Sequence, residues 1–321
     1  MRDSIQAIFD AEIASVPATE LARAARELTE RYRGERQNAA PLIQSAAHRA
    51  AYLAVRMPAT FAAMSSALQR LRESARQFAP ETCVDLGAGP GTATLAALEL
   101  FPTLRRCTLI ERDQQMLSIA RRMMGGMDAE FSNSDIAAKD IPEAELVLCA
   151  YVLNELPSSA RQRALDAAWH RTRGALVIIE PGSRQGFANV LSARQYMIGQ
   201  PDARIAAPCP GHMPCSLEQV GDWCHFSARV QRTSLHRRLK DASLAYEDEK
   251  FSYVIAVRNH IEVQPAETRI VRRPERLKGH VKLQLCTCSG LQQEVVTKKN
   301  GAEYKQARGA EWGDGWRSSS E

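Results

Sequence analysis

A chain of 321 residues, 45% hydrophobic and 25% charged, has enough material for one large core plus a smaller appendage and falls among ordinary globular proteins. It contains no run of 18 apolar residues, which excludes a membrane-spanning helix. Its N-terminus has neither an apolar signal core nor an acid-poor leader, so a cytoplasmic location is expected. Net charge is +5, yet Arg269 to Arg308 alone carries ten Lys or Arg against three Glu. A basic tail on a near-neutral body points to phosphate contacts through Arg269, Arg272, Arg273, Arg276 and Lys278, with a solvated surface the equal alternative.

Residues 1–78 read as helical, with Leu21, Ala24, Ala25 and Leu28 at helical spacing and Pro58 suited to a first turn. From Thr82 the pattern changes. Apolar runs at 83–86, 107–110, 146–151 and 175–179 alternate with helix candidates at 93–100, 114–124, 158–171 and 184–198. That alternation predicts an α/β chain with a parallel, doubly wound, Rossmann-like sheet. A further strand is expected at 251–257, with 228–235 pairing against it in antiparallel fashion. Two strands, 281–286 and 294–298, are expected near the end. The expected division is an N-terminal helical region over 1–78 and a main domain over 79–258 with a cysteine-rich insertion at 205–227. A basic C-terminal β module follows over 259–321.

Asp85-Leu86-Gly87-Ala88-Gly89-Pro90-Gly91 stands where the first strand gives way to a helix. Glycines there permit a tight turn and a close approach of backbone to ligand. A dinucleotide loop would read G-x-G-x-x-G and set a pyrophosphate on the helix N-terminus. Here the spacing is G-x-G-x-G, behind an acid. An anionic Asp85 repels a pyrophosphate but suits the cationic methionine end of S-adenosylmethionine. The expected fold is therefore that of the class I S-adenosylmethionine-dependent methyltransferases. Glu111, at the end of the second strand, is placed to accept from both ribose hydroxyls. Asp135 is a candidate for the adenine amino group, with a surface acid nearly as good a reading. Asn154, after the fourth strand, completes the cofactor set; with Glu155 it either orients a nucleophile or caps the next helix. Tyr151 to Pro157 lacks the Asn-Pro-Pro-aromatic clamp used on exocyclic base amines, so no catalytic residue is assigned.

Eight cysteines without an export signal argue against a disulfide framework. Cys83, Cys107 and Cys149 lie in apolar runs and read as core. Cys209, Cys215 and Cys224 share a loop rich in Pro and Gly, and Cys286 and Cys288 lie in the basic module. Four thiolates hold either a tetrahedral zinc or an iron–sulfur cluster, and the long intervals leave both open. His212 and His225 lie in the same loop as further candidate zinc ligands.

Several segments together resemble one family, the small-ribosomal-subunit-associated methyltransferase-like proteins. They are residues 28–33 and 51–60, the Asp85 to Thr92 loop, Tyr151 to Pro157 and Glu180-Pro181-Gly182-Ser183. Pro208 to Cys215, Asp222-Trp223-Cys224-His225-Phe226 and Trp312-Gly313-Asp314 continue the match. The resemblance covers nearly the whole chain. It implies a [4Fe–4S] cluster on Cys209, Cys215, Cys224 and Cys286, with Cys288 the alternative fourth ligand. It also implies a partner in the small ribosomal subunit or its rRNA, rather than DNA or a membrane. A binding or assembly factor without turnover is the first alternative; a small-molecule methyltransferase with structural zinc is the second.

Overall fold

The computed structural model describes residues 2–33, 43–136, 141–240 and 243–317. Helices α1 (Arg2–Ala14), α2 (Ala18–Arg33) and α3 (Ala46–Ala51) lead through one turn of π-helix, Tyr52–Arg56, into α4 (Met57–Ser74). The apolar stripe of α2 is buried as its spacing predicts. Leu21, Ala24, Ala25 and Leu28 share a cluster with Ala47, Ala50 and Ala51 of α3. Pro58 sits in the first turn of α4, where its missing N–H costs nothing.

The main sheet alternates strand and helix: β1 (Thr82–Leu86), α5 (Thr92–Leu100), β2 (Arg106–Ile110), α6 (Gln114–Met123), β3 (Asp128–Ser132) and β4 (Ala144–Ala150). It continues with α7 (Ser158–Arg171), β5 (Thr172–Pro181), α8 (Arg184–Ile198), β6 (Ala203–Ala207), α9 (Ser216–Gln219), β7 (Phe226–Gln231), α10 (Ser234–Leu239) and β8 (Tyr246–Arg258). Strand order is β3-β2-β1-β4-β5-β8-β6, with β7 also on β8. The first five strands are parallel, and β8 runs antiparallel to β5, β6 and β7. A parallel five-stranded half, closed by a late antiparallel strand inserted before the edge, is the class I methyltransferase arrangement.

Each strand splits its side chains between two faces, as a period of two requires. Cys83, Leu109, Leu146, Leu148, Val177 and Ile255 pack under α4, α5 and α6. Val84, Ile110, Val147, Cys149, Ile178 and Val254 pack against α7 and α8. The three cysteines read as core are buried. Among the described residues, no helix is long and apolar enough to cross a membrane.

One expected element is shorter than predicted. The antiparallel strand read at 228–235 ends at Gln231, because the Thr233 side chain accepts from His236 N–H and starts α10. Strands β6 and β7 occupy successive stretches of one edge of β8, and the cysteine-rich loop leaves the sheet between them. A second sheet follows, built from β9 (Thr268–Ile270), β10 (Glu275–Leu277), β11 (His280–Thr287), β12 (Gly290–Thr297) and β13 (Gly315–Trp316). Helix α11 (Ala302–Gly309) covers one face, and Ile270, Val281, Leu283, Leu285, Val296 and Trp316 form its core.

Candidate functional site

At the carboxyl end of β1 the chain turns through Gly87, Gly89 and Gly91, all with positive φ. Gly87 allows a close approach: a Cβ there would lie 2.6 Å from Val152 Cγ2, in the turn after β4. A Cβ at Gly89 would meet nothing within 4 Å, so that side of the loop is open. Glu111 leaves β2 and grips this loop. Its Oε2 accepts from Gly89 N–H at 2.8 Å and its Oε1 from Asp113 N–H at 2.8 Å. Burial raises its pKa against those two bonds. Asp85 lies under the loop, 1% exposed, with Oδ2 accepting from the backbone and hydroxyl of Thr94. Its Oδ1 has no hydrogen-bond partner among the described residues. Burial pushes this carboxyl up to about 6.

Gly87, Gly89, Glu111, Asp135, Tyr151 and Glu155 line one cavity at the carboxyl ends of the parallel strands, where open α/β sheets bind ligands. Gly91 instead packs toward Met124 and Leu109 as the N-cap of α5. Neither Asp85 nor Asn154 lines this cavity: Asp85 is buried beneath the glycine loop, and the Asn154 backbone faces Glu180. A larger groove, about 870 Å³, lies at the opposite ends of the strands among Glu143, His170, Arg173 and His260. It lacks a glycine turn, and its Arg173 is paired with Glu143.

Three parts of the site escape local sequence reading. Ile43 and Tyr52 reach the cavity from the N-terminal helical region. Tyr151 takes φ +63 at the end of β4, its hydroxyl donating to Glu249 Oε1 at 3.4 Å, while Arg56 pairs with the same oxygen at 3.0 Å. Glu180, fully buried, accepts from Leu153 N–H at 2.9 Å and from Asn189 at 3.4 Å, and so anchors the turn after β4. Burial pushes its carboxyl up to about 8. A raised acid favours the protonated form in the folded state, so its stabilisation is lost as pH rises from 4.5 toward 8. Glu180→Gln should therefore flatten the fall of Tm across that window in a thermal scan. An unchanged slope would show that Glu180 is ionised throughout.

The other constellation gathers on the cysteine-rich loop. Cys209, Cys215 and Cys224 of that loop and Cys286 of β11 line one small cavity, with Tyr253, Arg194 and Arg269. None forms a disulfide. Burial raises the pKa of Cys209, Cys224 and Cys286, the last to about 12, and the crowding of the thiols adds to it. Cys288 is exposed in the β11–β12 turn and does not line the cavity. Neither histidine of the loop lines it: His212 Nε2 accepts from Ile205 N–H, and His225 stacks on Trp223 and meets Trp312 edge-on. Among the described residues, no three such side chains stand close enough to hold a single metal ion. The four thiols surround a space rather than meet at a point. The fit to an anionic, sulfur-rich group lies in the donors beside them: Arg194 Nε lies 3.2 Å from Cys209 Sγ, and the buried Tyr253 hydroxyl has no partner among the described residues.

Of the four arginines expected to face phosphates, one is buried and three are paired with carboxylates. Arg269 is buried and donates to the Pro208 and Gly313 carbonyls. Arg272 pairs with Asp222, Arg273 with Asp248 and Arg276 with Glu311. Lys278, Lys298, Lys299 and Lys305 are exposed and, among the described residues, form no ion pair.

A protein family described as mitochondrial small ribosomal subunit Rsm22 matches residues 46–317. The chain belongs to this family. A relative of this Rsm22-family chain is the human mitochondrial ribosome assembly protein METTL17, 29% identical over 285 residues, covering 82% of this chain and 61% of that protein. Another is the mitochondrial Rsm22-cox11 tandem protein 2 of Schizosaccharomyces pombe, 25% identical, covering 82% and 42%. The chain thus spans about three fifths and two fifths of these relatives. Among solved structures, a putative RNA methyltransferase from Pyrococcus horikoshii is 10% identical, with TM-score 0.41, covering 75% of this chain and 98% of that one. Magnesium protoporphyrin IX methyltransferase from Synechocystis with bound S-adenosylmethionine is 11% identical, with TM-score 0.39, covering 73% and 90%. The strand order, not these scores, carries the fold assignment. The cytoplasmic location expected above is corrected by the names: the family and both relatives are mitochondrial. The N-terminal composition that prompted it carries no compartment information.

Proposed function

We propose that this chain binds S-adenosylmethionine at the Asp85 to Gly91 loop and serves the small ribosomal subunit as a methyltransferase-type protein. The observation that carries the cofactor is the grip of Glu111 on Gly89, above a buried Asp85 oxygen that has no donor among the described residues. An ammonium or sulfonium supplies the positive partner which that oxygen lacks, and a second lone pair on each Glu111 oxygen remains for ribose hydroxyls. Asp135 stands at the cavity for the adenine amino group. Equilibrium binding of the cofactor, followed by transfer of a labelled methyl group to purified small subunits, tests both halves of this reading.

A factor that binds without turnover is the second reading. It is favoured by the turn after β4, where Glu155 pairs with Arg112 and Asn154 does not line the cavity. Binding with no label on the RNA selects it.

Cys209, Cys215, Cys224 and Cys286 would hold a [4Fe–4S] cluster. Such a group joins the 205–227 insertion to the 259–321 module and fixes how the two face a large partner. The ribosomal names of the family and the human relative support the partner, and its rRNA is the part we assign to the exposed lysines. Lys298 N–H donates to Gly279 O at 3.0 Å, which sets the Lys278 turn beside Lys298 and Lys299. Replacing Lys278, Lys298, Lys299 and Lys305 by alanine should weaken binding to small-subunit RNA and lower the salt slope by roughly one per lysine. Filter binding across a salt series measures this. An unaltered slope would remove these four from the contact.

A further inference from the structure

The cysteine cavity receives three polar side chains that the four thiols do not account for. Arg194 of α8 is 6% exposed; its Nε donates to Cys209 Sγ at 3.2 Å, and Nη2 donates to the carbonyls of Gly211 and Met213. Arg269 of β9 is 3% exposed and donates to Pro208 O at 2.9 Å and Gly313 O at 3.0 Å. Tyr253 of β8 is 3% exposed, and its hydroxyl has no partner among the described residues.

Two guanidinium ions are thus buried beside one cavity, and among the described residues no carboxylate pairs with either. Carbonyl oxygens and a sulfur fix their orientation without neutralising them. Burying cations without an anion is unfavourable, and so is burying a hydroxyl without an acceptor. Neutral thiols relieve neither cost. Four thiolates around a cationic metal core relieve both: they leave the group net negative and offer sulfur acceptors to the phenol and the guanidinium.

We propose that Arg194, Arg269 and Tyr253 are positioning residues of the cysteine site. The two arginines balance the charge of the group held there, and Arg194 and Tyr253 donate hydrogen bonds to its sulfur. This rests on the cluster reading given above. Arg269 has a second duty: by bonding Pro208 and Gly313 together it ties the cysteine-rich loop to the C-terminal module, so charge balance and docking share one side chain. Net charge and hydrogen bonds to sulfur set the reduction potential of such groups. Both features favour the more negative, reduced form and hold the midpoint up.

The test uses the full chain, purified and reconstituted without oxygen, with iron and sulfide content, release of iron to a chelator, and reduction midpoint as readouts. Tyr253→Phe keeps the ring and so keeps the fold. It should bind iron normally, release it roughly 10-fold faster and titrate at a more negative midpoint. Arg194→Gln should do the same more strongly, with Arg194→Lys between the two because it restores charge without the planar fork. If the wild type holds iron and sulfide while Tyr253→Phe and Arg194→Gln match it in release and midpoint, the assignment is overturned and the cluster stands. If the wild type takes only zinc and both variants release it faster, the iron–sulfur reading falls and the positioning role holds. A wild type that takes neither metal overturns both.

Discussion

Replacing Cys224 by serine is expected to lower metal content and thermal stability together. Cys224 is held two residues before β7, where Ser252 donates to its carbonyl at 2.7 Å, so the backbone position survives the change. A serine hydroxyl stays protonated near neutral pH, and a thiolate is the ligand required. Because the site does not exist in the unfolded chain, lost binding energy is lost folding energy. Cys286→Ser should act likewise from the other side, since it alone of the four belongs to the second sheet. Iron should fall from roughly four per chain in the wild type to less than half, with Tm falling in step. Cys288→Ser, at an exposed position outside the cavity, should change neither. A reversed result, with Cys288→Ser emptying the site and Cys286→Ser sparing it, would move the fourth ligand by two residues.

Glu111→Ala is expected to remove most of the cofactor's affinity while leaving the fold intact. The side chain acts twice: it holds Gly89 N–H, and it presents the carboxylate proposed for the ribose. Loss of charge-assisted hydrogen bonds of this kind costs about 1.5–3 kcal/mol, or roughly 10- to 100-fold in affinity. At a cofactor concentration of 100 times the wild-type Kd, ligand stabilisation of about 2.7 kcal/mol should shrink to between about 0.4 and 1.4 kcal/mol. The rise in Tm on adding S-adenosylmethionine reads this directly. An equal rise in wild type and variant would place the ribose elsewhere.

The legible parts of the fold were those with strong local patterns. Apolar runs separated by amphipathic stretches located β1, β2, β4 and β5, because buried parallel strands carry near-continuous hydrophobic sequence. Strand β6 carries no such signal: it is five residues long, contains Arg204 and starts right after Pro201-Asp202. The first half of β8, Tyr246 to Lys250, carries four charges and is ordered by pairing with β7 rather than by its own composition. The glycine loop and Glu111 were legible because the chemistry of a tight turn restricts residue choice. Glu180 and Tyr52 were not. An acid ending an apolar strand carries no local sign of being buried, and Tyr52 reaches the cavity only through long-range packing. Arg269 shows the same limit in charge counting, for composition does not reveal which arginine points inward.

The glycine loop above Asp85 should take S-adenosylmethionine and not a dinucleotide. Titration calorimetry of the purified chain with S-adenosylmethionine, repeated with NAD, tests it most directly. One S-adenosylmethionine should bind per chain, displaced by S-adenosylhomocysteine and unaffected by NAD, because Asp85 under the loop repels a pyrophosphate. Binding of NAD in place of S-adenosylmethionine, or no binding of either, would contradict it.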